Sequence, residues 1–166
     1  AEYWRRRGPQ ALRHLGERMQ AFAHAAIEAA LDIAAGRCAG EPAVLAIAGA
    51  QGSGKSWLAR SFAQTSPGIA TLSLDDFYLP AAARRDLGRT IHPLFTTRGV
   101  PGTHDVALLN TTLDSLRGAG PETRTALPAF DKLQDDVLPR ESWSTFHGRP
   151  DAILLEGWCL GATAQS

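Results

Sequence analysis

Gly49-Ala50-Gln51-Gly52-Ser53-Gly54-Lys55-Ser56 fits the pattern G-x-x-x-x-G-K-[ST], and each fixed position answers a physical need. Glycines let the backbone curl until its N–H groups point inward at a phosphate. Lys55 reaches β and γ phosphates, and the Ser56 hydroxyl is a ligand for Mg²⁺. The flanks agree. Residues 43–48, AVLAIA, read as a short apolar strand buried on both faces. Residues 56–64 read as a helix whose first N–H groups complete the anion site, so Gly49 through Trp57 are assigned to nucleotide binding. A ligand-free glycine turn is the weaker reading, because four fixed positions fall in the right strand–helix context. The stretch predicts a nucleoside triphosphate site.

Composition bounds the rest. The 166 residues suit one domain with a sizeable core, and 44% hydrophobic with 20% charged residues is ordinary for a globular protein. With 17 basic and 17 acidic residues the net charge is zero, so no global field favours nucleic acid or a membrane surface. No apolar run approaches a membrane span, and the first thirty residues lack a secretory core. Cys38 and Cys159 have no metal-ligand spacing and read as free thiols of a cytoplasmic protein. Arg5-Arg6-Arg7, the one basic run, reads as a solvated face. Fifteen of the basic residues are arginines; the two lysines, Lys55 and Lys132, fall where a compact point charge is useful.

Residues 9–35 read as a helix with Pro9 in its first turn and Gly36 past its end. Leu12, Leu15, Met19, Phe22, Ala26, Ala30 and Ile33 step down one face. Residues 69–74 form a second buried strand, giving a strand–helix–strand unit, and Asp75 and Asp76 follow at its carboxyl end, the edge where ligands of open sheets sit. A short helix is expected near 79–87, and residues 88–104 form a loop of functional length carrying Arg98 and His104. Asp105 caps a helix over 106–117. Residues 125–130 are extended, 133–150 irregular, and 151–155 a third buried strand closing on Glu156-Gly157.

Three groups can carry chemistry. Glu156, at a strand tip beside the phosphate loop, is placed to hold Mg²⁺ or its water. Asp75 is the candidate base that orients an acceptor hydroxyl and takes its proton, and Asp76 the cap or metal contact, since neighbours on an extended chain point opposite ways. Arg98, His104 and Lys132 are cations on glycine- and proline-bounded loops, suited to an anionic acceptor.

The motif series G-x-x-G-S-G-K-S, S-L-D-D-F-Y, R-G-x-P-G-T-H-D, L-P-A-F-D-K and L-L-E-G-W-C-L-G resembles the D-glycerate 3-kinase family of P-loop kinases, relatives of the uridine kinase, phosphoribulokinase and pantothenate kinase group. The resemblance runs from about residue 44 to 161. It implies Asp75 as base. It also implies an acceptor pocket lined by Tyr78, Arg98, His104 and Asp105, with Asp131 and Lys132 brought to the acceptor or phosphates and Glu156 serving the metal. Residues 133–140 depart from the plant-type pattern, and Arg140 is the candidate replacement for its arginine. The expected fold is a three-layer α/β P-loop NTPase fold with a mainly parallel sheet. Strands 69–74, 151–156 and 43–48 lie adjacent in that order, and the fold is incomplete at the C-terminus. Residues 1–40 are expected to form a helix packing on the core, and 41–166 the N-terminal part of a longer kinase domain. The expected activity is ATP- and Mg²⁺-dependent phosphorylation of a hydroxyl on a small metabolite, with glycerate leading. Uridine- or pantothenate-type acceptors, or a non-kinase ATPase or switch, are the alternatives. A GTPase switch would want D-x-x-G and N-K-x-D, and neither occurs where it is needed.

Overall fold

The computed structural model describes residues 2–38 and 40–162, and in its first helix the side chains at 14 and from 16 onward. A three-stranded parallel sheet forms its centre. β1 (Ala43–Ala48) and β2 (Ile69–Ser73) flank β7 (Ala152–Gly157), matching the expected order. β7 is buried at every position because it is covered on both faces and both edges. Alternation of side chains along a strand sorts its residues. Ile153 and Leu155 join Ala70 and Leu72 of β2 in one cluster, beneath Leu109 and Leu116 of α4 (Val106–Arg117). Leu154 points the other way, to Phe62 of α2 (Lys55–Thr65) and Ile27 of α1 (Glu2–Ala35). Helices on both faces of a parallel sheet make the three layers. Burying each such Leu, Ile or Phe side chain contributes about 1.5–3 kcal/mol, so β7 anchors the domain.

The first helix differs from expectation in two ways. It runs back to Glu2, so Pro9 lies inside it rather than in its first turn. Its packed face is also another one. Met19, Phe22 and Ile33 are 64%, 78% and 60% exposed, whereas Ile27 is buried and Leu31 packs beside it. Residues 24, 27, 31 and 34 also step by threes and fours, and two stripes of equal period cannot be ranked by periodicity alone. His24 belongs to the packed stripe, with Nε2 2.9 Å from Ser61 Oγ and its ring edge-on to Phe62. The side chains of Leu12, Leu15 and Arg5–Arg7 lie outside the described residues. Among the described residues no helix is long and apolar enough to cross a membrane.

Between β2 and β7 the chain builds the other wall of the site. A 3-10 turn over Leu74–Phe77 leads to α3 (Ala81–Thr90) and a second 3-10 turn at Pro93–Thr96. After α4 come β3 (Arg124–Leu127), β4 (Phe130–Asp131), β5 (Asp136–Val137) and β6 (Ser144–His147). They form two small antiparallel pairs, β3 with β6 and β4 with β5: the first partner of each falls in or beside the extended stretch expected at 125–130, the second in the stretch 133–150 expected to be irregular.

Candidate active site

The phosphate loop has the conformation its glycines predict. Gly52 and Gly54 adopt φ of 75° and 86°, a region that side-chain-bearing residues avoid. Gly54 is the N-cap of α2 and supplies no side-chain cap, and no acid stands in the first turn, so the helix N-terminus is left for an anion. Lys55 Nζ donates to the Ala50 carbonyl at 2.8 Å, keeping the ammonium over the loop. Gln51, Gly52, Lys55 and Ser56 line a cleft of about 370 Å³. Trp57, assigned to the nucleotide from its position, is 57% exposed and does not line that cleft.

Glu156 is only 5% exposed, and a buried carboxylate needs donors. The register supplies them. Pairing sets Glu156 opposite Ser73 of β2 and Ile47 of β1. Ser73 Oγ donates to Glu156 Oε1 at 2.5 Å and Ser56 Oγ donates to the same oxygen at 2.8 Å. Gly157 is required next, since a Cβ there would lie 2.7 Å from Leu74 Cβ. Ser56 and Glu156 form a hard oxygen pair. Among the described residues no cluster of three or more metal-ligating side chains exists. Two protein oxygens fit a cation such as Mg²⁺, which keeps several waters and takes phosphate oxygens.

Asp75 and Asp76 sit in the first turn of the 3-10 segment, not on extended chain, and they still diverge. Asp75 Oδ2 receives Lys132 Nζ at 2.6 Å, and Oδ1 accepts from Tyr78 Oη at 3.1 Å. Burial pushes the Asp75 carboxyl up, but the Lys132 ammonium and Tyr78 hydroxyl outweigh it and hold the group below its usual range. Asp76 Oδ1 accepts from Phe130 N at 3.3 Å, tying β4 to the 3-10 turn. Burial raises its carboxyl, partly offset by that N–H. A second cleft, alongside α2 and β2, is lined by Asp76 together with the shared Ser56, Asp75, Lys132 and Glu156.

Of the residues implicated by resemblance, Tyr78, Arg98 and Lys132 line the first cleft. His104 stands behind Tyr78, stacked at 4.4 Å, and pairs with it as an antiparallel bridge. It is buried with Nε2 unpartnered, and burial lowers its pKa. Burial, with Asp75 next to it, raises the Tyr78 hydroxyl. Asp105 accepts from Leu108 N at 2.8 Å and so caps α4. Asp131 Oδ1 accepts from Leu133 N and Gln134 N at 2.8 and 3.1 Å, folding the tip of the β4–β5 hairpin. Both carboxylates hold backbone and neither lines a cleft. Arg140 lies on a short 3-10 turn with its guanidinium 5.8 Å over the Trp143 ring, away from both clefts.

Sequence reasoning missed Ser73, Arg84 and Asp135. Arg84 is fully buried: Nε donates to Leu79 O at 3.0 Å, Nη1 to Thr96 O at 3.0 Å and Nη2 to Asp135 O at 2.7 Å. Its Nη2 also pairs with Asp135 Oδ2 at 2.9 Å, while Arg98 Nη1 pairs with Asp135 Oδ1. The Arg98 guanidinium lies 5.8 Å over the Phe130 ring. In sequence, Arg84 is indistinguishable from its neighbour Arg85. Ser73, opposite the strand-tip glutamate, was legible once the strand order was assumed.

Comparison with known proteins supports this fold. No family model matches the chain. It is 33% identical over 133 residues to the uncharacterized kinase mug58 of Schizosaccharomyces pombe, covering 74% of this chain and 48% of the relative. It is 33% identical over 132 residues to the chloroplastic D-glycerate 3-kinase of Arabidopsis thaliana, covering 72% of this chain and 29% of the relative. The chain thus spans less than half the length of each of these curated relatives. Among solved structures, a D-glycerate 3-kinase from Cryptococcus neoformans var. grubii superposes with a TM-score of 0.72 at 27% identity, over 89% of this chain and 55% of that one. With the strand order and phosphate loop in place, the chain has the P-loop kinase fold and resembles the D-glycerate 3-kinases.

Proposed function

We propose that this chain carries the phosphoryl-transfer centre of an ATP- and Mg²⁺-dependent kinase that phosphorylates a hydroxyl of a small, anionic metabolite, with glycerate the leading acceptor. The observation that carries this reading is the convergence of Lys55, Ser56, Asp75 and Glu156 on one cleft. A switch or motor needs a phosphate loop and a metal residue. It has no need of a carboxylate held by a lysine and a tyrosine beside them.

In this reading the loop amides and Lys55 hold the β and γ phosphates, with Lys55 exchanging the Ala50 carbonyl for phosphate oxygens. Asp75 orients the acceptor hydroxyl and takes its proton as the new O–P bond forms and the bond to the leaving ADP breaks. Its depressed pKa keeps it ionised and able to accept at neutral pH. Arg98 and Lys132 hold the acceptor's own anionic group. Ser56 and Glu156 would hold Mg²⁺, which would supply charge neutralisation for the phosphates. The names of the Arabidopsis and Cryptococcus relatives favour glycerate as that acceptor.

The test is ADP release from ATP with D-glycerate, uridine, pantothenate or no acceptor. D-glycerate is expected to stimulate turnover. Turnover stimulated by uridine or pantothenate alone would keep the kinase and replace the acceptor. Hydrolysis indifferent to every acceptor would make the protein an ATPase.

A further inference from the structure

Arg98 is the acceptor-side cation with the least freedom, and the cause is a residue outside both clefts. We propose that Asp135 is a positioning residue that aims Arg98 at a carboxylate-bearing acceptor, with the buried Arg84 as its anchor. The proposal rests on the kinase reading above for the identity of what Arg98 binds, but the clamp itself is a matter of geometry.

Arg84 is fully buried and fixed from two directions by the carbonyls of Leu79 and Thr96. Its third donor, Nη2, holds both the carbonyl and Oδ2 of Asp135. That grip holds the hairpin tip, where Asp135 takes a left-handed conformation, φ 56°, which aspartate and asparagine adopt more readily than other residues bearing a side chain. One carboxylate oxygen then remains, and Arg98 Nη1 takes it. The carboxylate is therefore shared, one oxygen to an immobile arginine and one to an arginine that lines the cleft. Had Asp135 served only to neutralise Arg84, a bidentate pair using both oxygens would be the stronger arrangement.

Arg98 is restrained from two further sides. The Phe130 ring lies under its guanidinium, and the loop after it is folded by Thr103, whose Oγ1 donates to Val100 O at 2.7 Å and accepts from Gly99 N at 3.3 Å. Among the described residues Arg98 makes no hydrogen bond other than the one to Asp135, so four of its five N–H groups are uncommitted. A planar fork with a free edge is matched to the two coplanar oxygens of a carboxylate, whereas a lysine would act only as a point charge. Pre-ordering that side chain removes an entropy cost that acceptor binding would otherwise bear. The substrate class implied is a short hydroxy acid whose carboxylate meets Arg98 while its hydroxyl meets Asp75.

Asp135→Asn in the full chain separates these roles, because asparagine tolerates the left-handed backbone and keeps the shape while losing the charge. The variant is expected to raise KM for D-glycerate about tenfold, with KM for ATP moving less than about twofold and kcat changing less than the acceptor KM. Arg98→Ala should raise the same KM, and the double variant should be no worse than Arg98→Ala alone. A further readout needs no turnover: the Nη1–H signal of Arg98, the group paired with Asp135, in a ¹⁵N spectrum, assigned by its loss in Arg98→Ala. It should be exchange-protected in the parent protein and lose that protection in Asp135→Asn, with the signals of the phosphate loop and α2 retained. Equal rises in both KM values, multiplicative effects in the double variant, or an unchanged Arg98 signal would overturn the clamp. If the parent protein transfers no phosphate to D-glycerate, the acceptor assignment fails, and the Arg98 signal still decides whether Asp135 holds it.

Discussion

The two halves of the cleft are built by opposite means. The phosphate side is a run of eight residues, Gly49 to Ser56, whose binding groups are largely backbone amides presented by positive φ at Gly52 and Gly54. The acceptor side is gathered from separated segments. Asp75 and Tyr78 follow β2, Arg98 follows α3, and Lys132 rides on the β4–β5 hairpin. Its groups are side-chain charges, each already paired: Asp75 with Lys132, Arg98 with Asp135. A contiguous loop encodes its ligand contacts directly. A convergent pocket encodes them through whatever holds the segments together, and here that is Arg84 and Asp76 as much as the lining residues.

The sharpest way to break this comparison is Asp75→Asn. Removing the base while leaving the phosphate loop untouched should cut phosphoryl transfer by about 10²–10⁴-fold, the usual contribution of a general base. Calorimetry with a non-hydrolysable ATP analogue should report unchanged affinity. Near-normal transfer would remove Asp75 from the chemistry. Next in size is Arg84→Met, which strips three carbonyls and a carboxylate of their partner in a fully buried position. A loss of about 3 kcal/mol in chemical denaturation is expected. Amide exchange should speed up around 79–98 and 131–137 before it changes in α2. Uniform acceleration across the chain would mean that the two sides are not separable.

Lys132→Met probes the charge pairing through pH. In the parent protein burial raises Asp75, but Lys132 and Tyr78 bring it below its usual value of 3.8. A depressed carboxyl contributes stability that is present above the unfolded value and lost as pH falls through the folded one. The same group must be ionised to act as a base, so the acid limb of kcat/KM lies at that depressed value. Without the ammonium, burial has less opposition, and the limb should move to higher pH, on top of any loss of acceptor affinity. A limb that stays in place would show that Lys132 does not govern the base.

How much of this was legible in the sequence follows from the same contrast. The phosphate loop, the three buried strands and the Glu156 position could be read because each is fixed by local pattern: a motif, three apolar runs, and an acid at a strand tip; the order of the strands came with the resemblance. Asp105 reads both as a helix cap and, by resemblance, as an acceptor residue, and Asp131 as a residue brought to the acceptor or phosphates, because a carboxylate that caps a turn and one that binds a ligand have the same one-letter code. Asp131 folds the hairpin tip, and only the structure distinguishes the two roles. Arg84 was invisible for the converse reason. Arginine on a helix is normally solvated, and what buries this one is the return of two loops remote in sequence. The packed face of α1 was misread because a second stripe of equal period, through Ile27 and Leu31, meets Phe62 and Leu154.

The smallest expected effect bears most directly on that confusion. Asp105 accepts from Leu108 N at 2.8 Å at the start of α4, whose Leu109 and Leu116 cover one face of the sheet. If the carboxylate is a cap, Asp105→Ala should cost about 1 kcal/mol of stability and leave KM for the acceptor where it was. Asp105→Asn should recover nearly all of the loss, because asparagine caps as well as aspartate. If the carboxylate instead belongs to the acceptor pocket, both substitutions should raise the acceptor KM, and asparagine would rescue stability without rescuing binding. Measuring the unfolding midpoint and the acceptor KM on the same two variants therefore assigns this residue either to the framework of the acceptor side or to its surface.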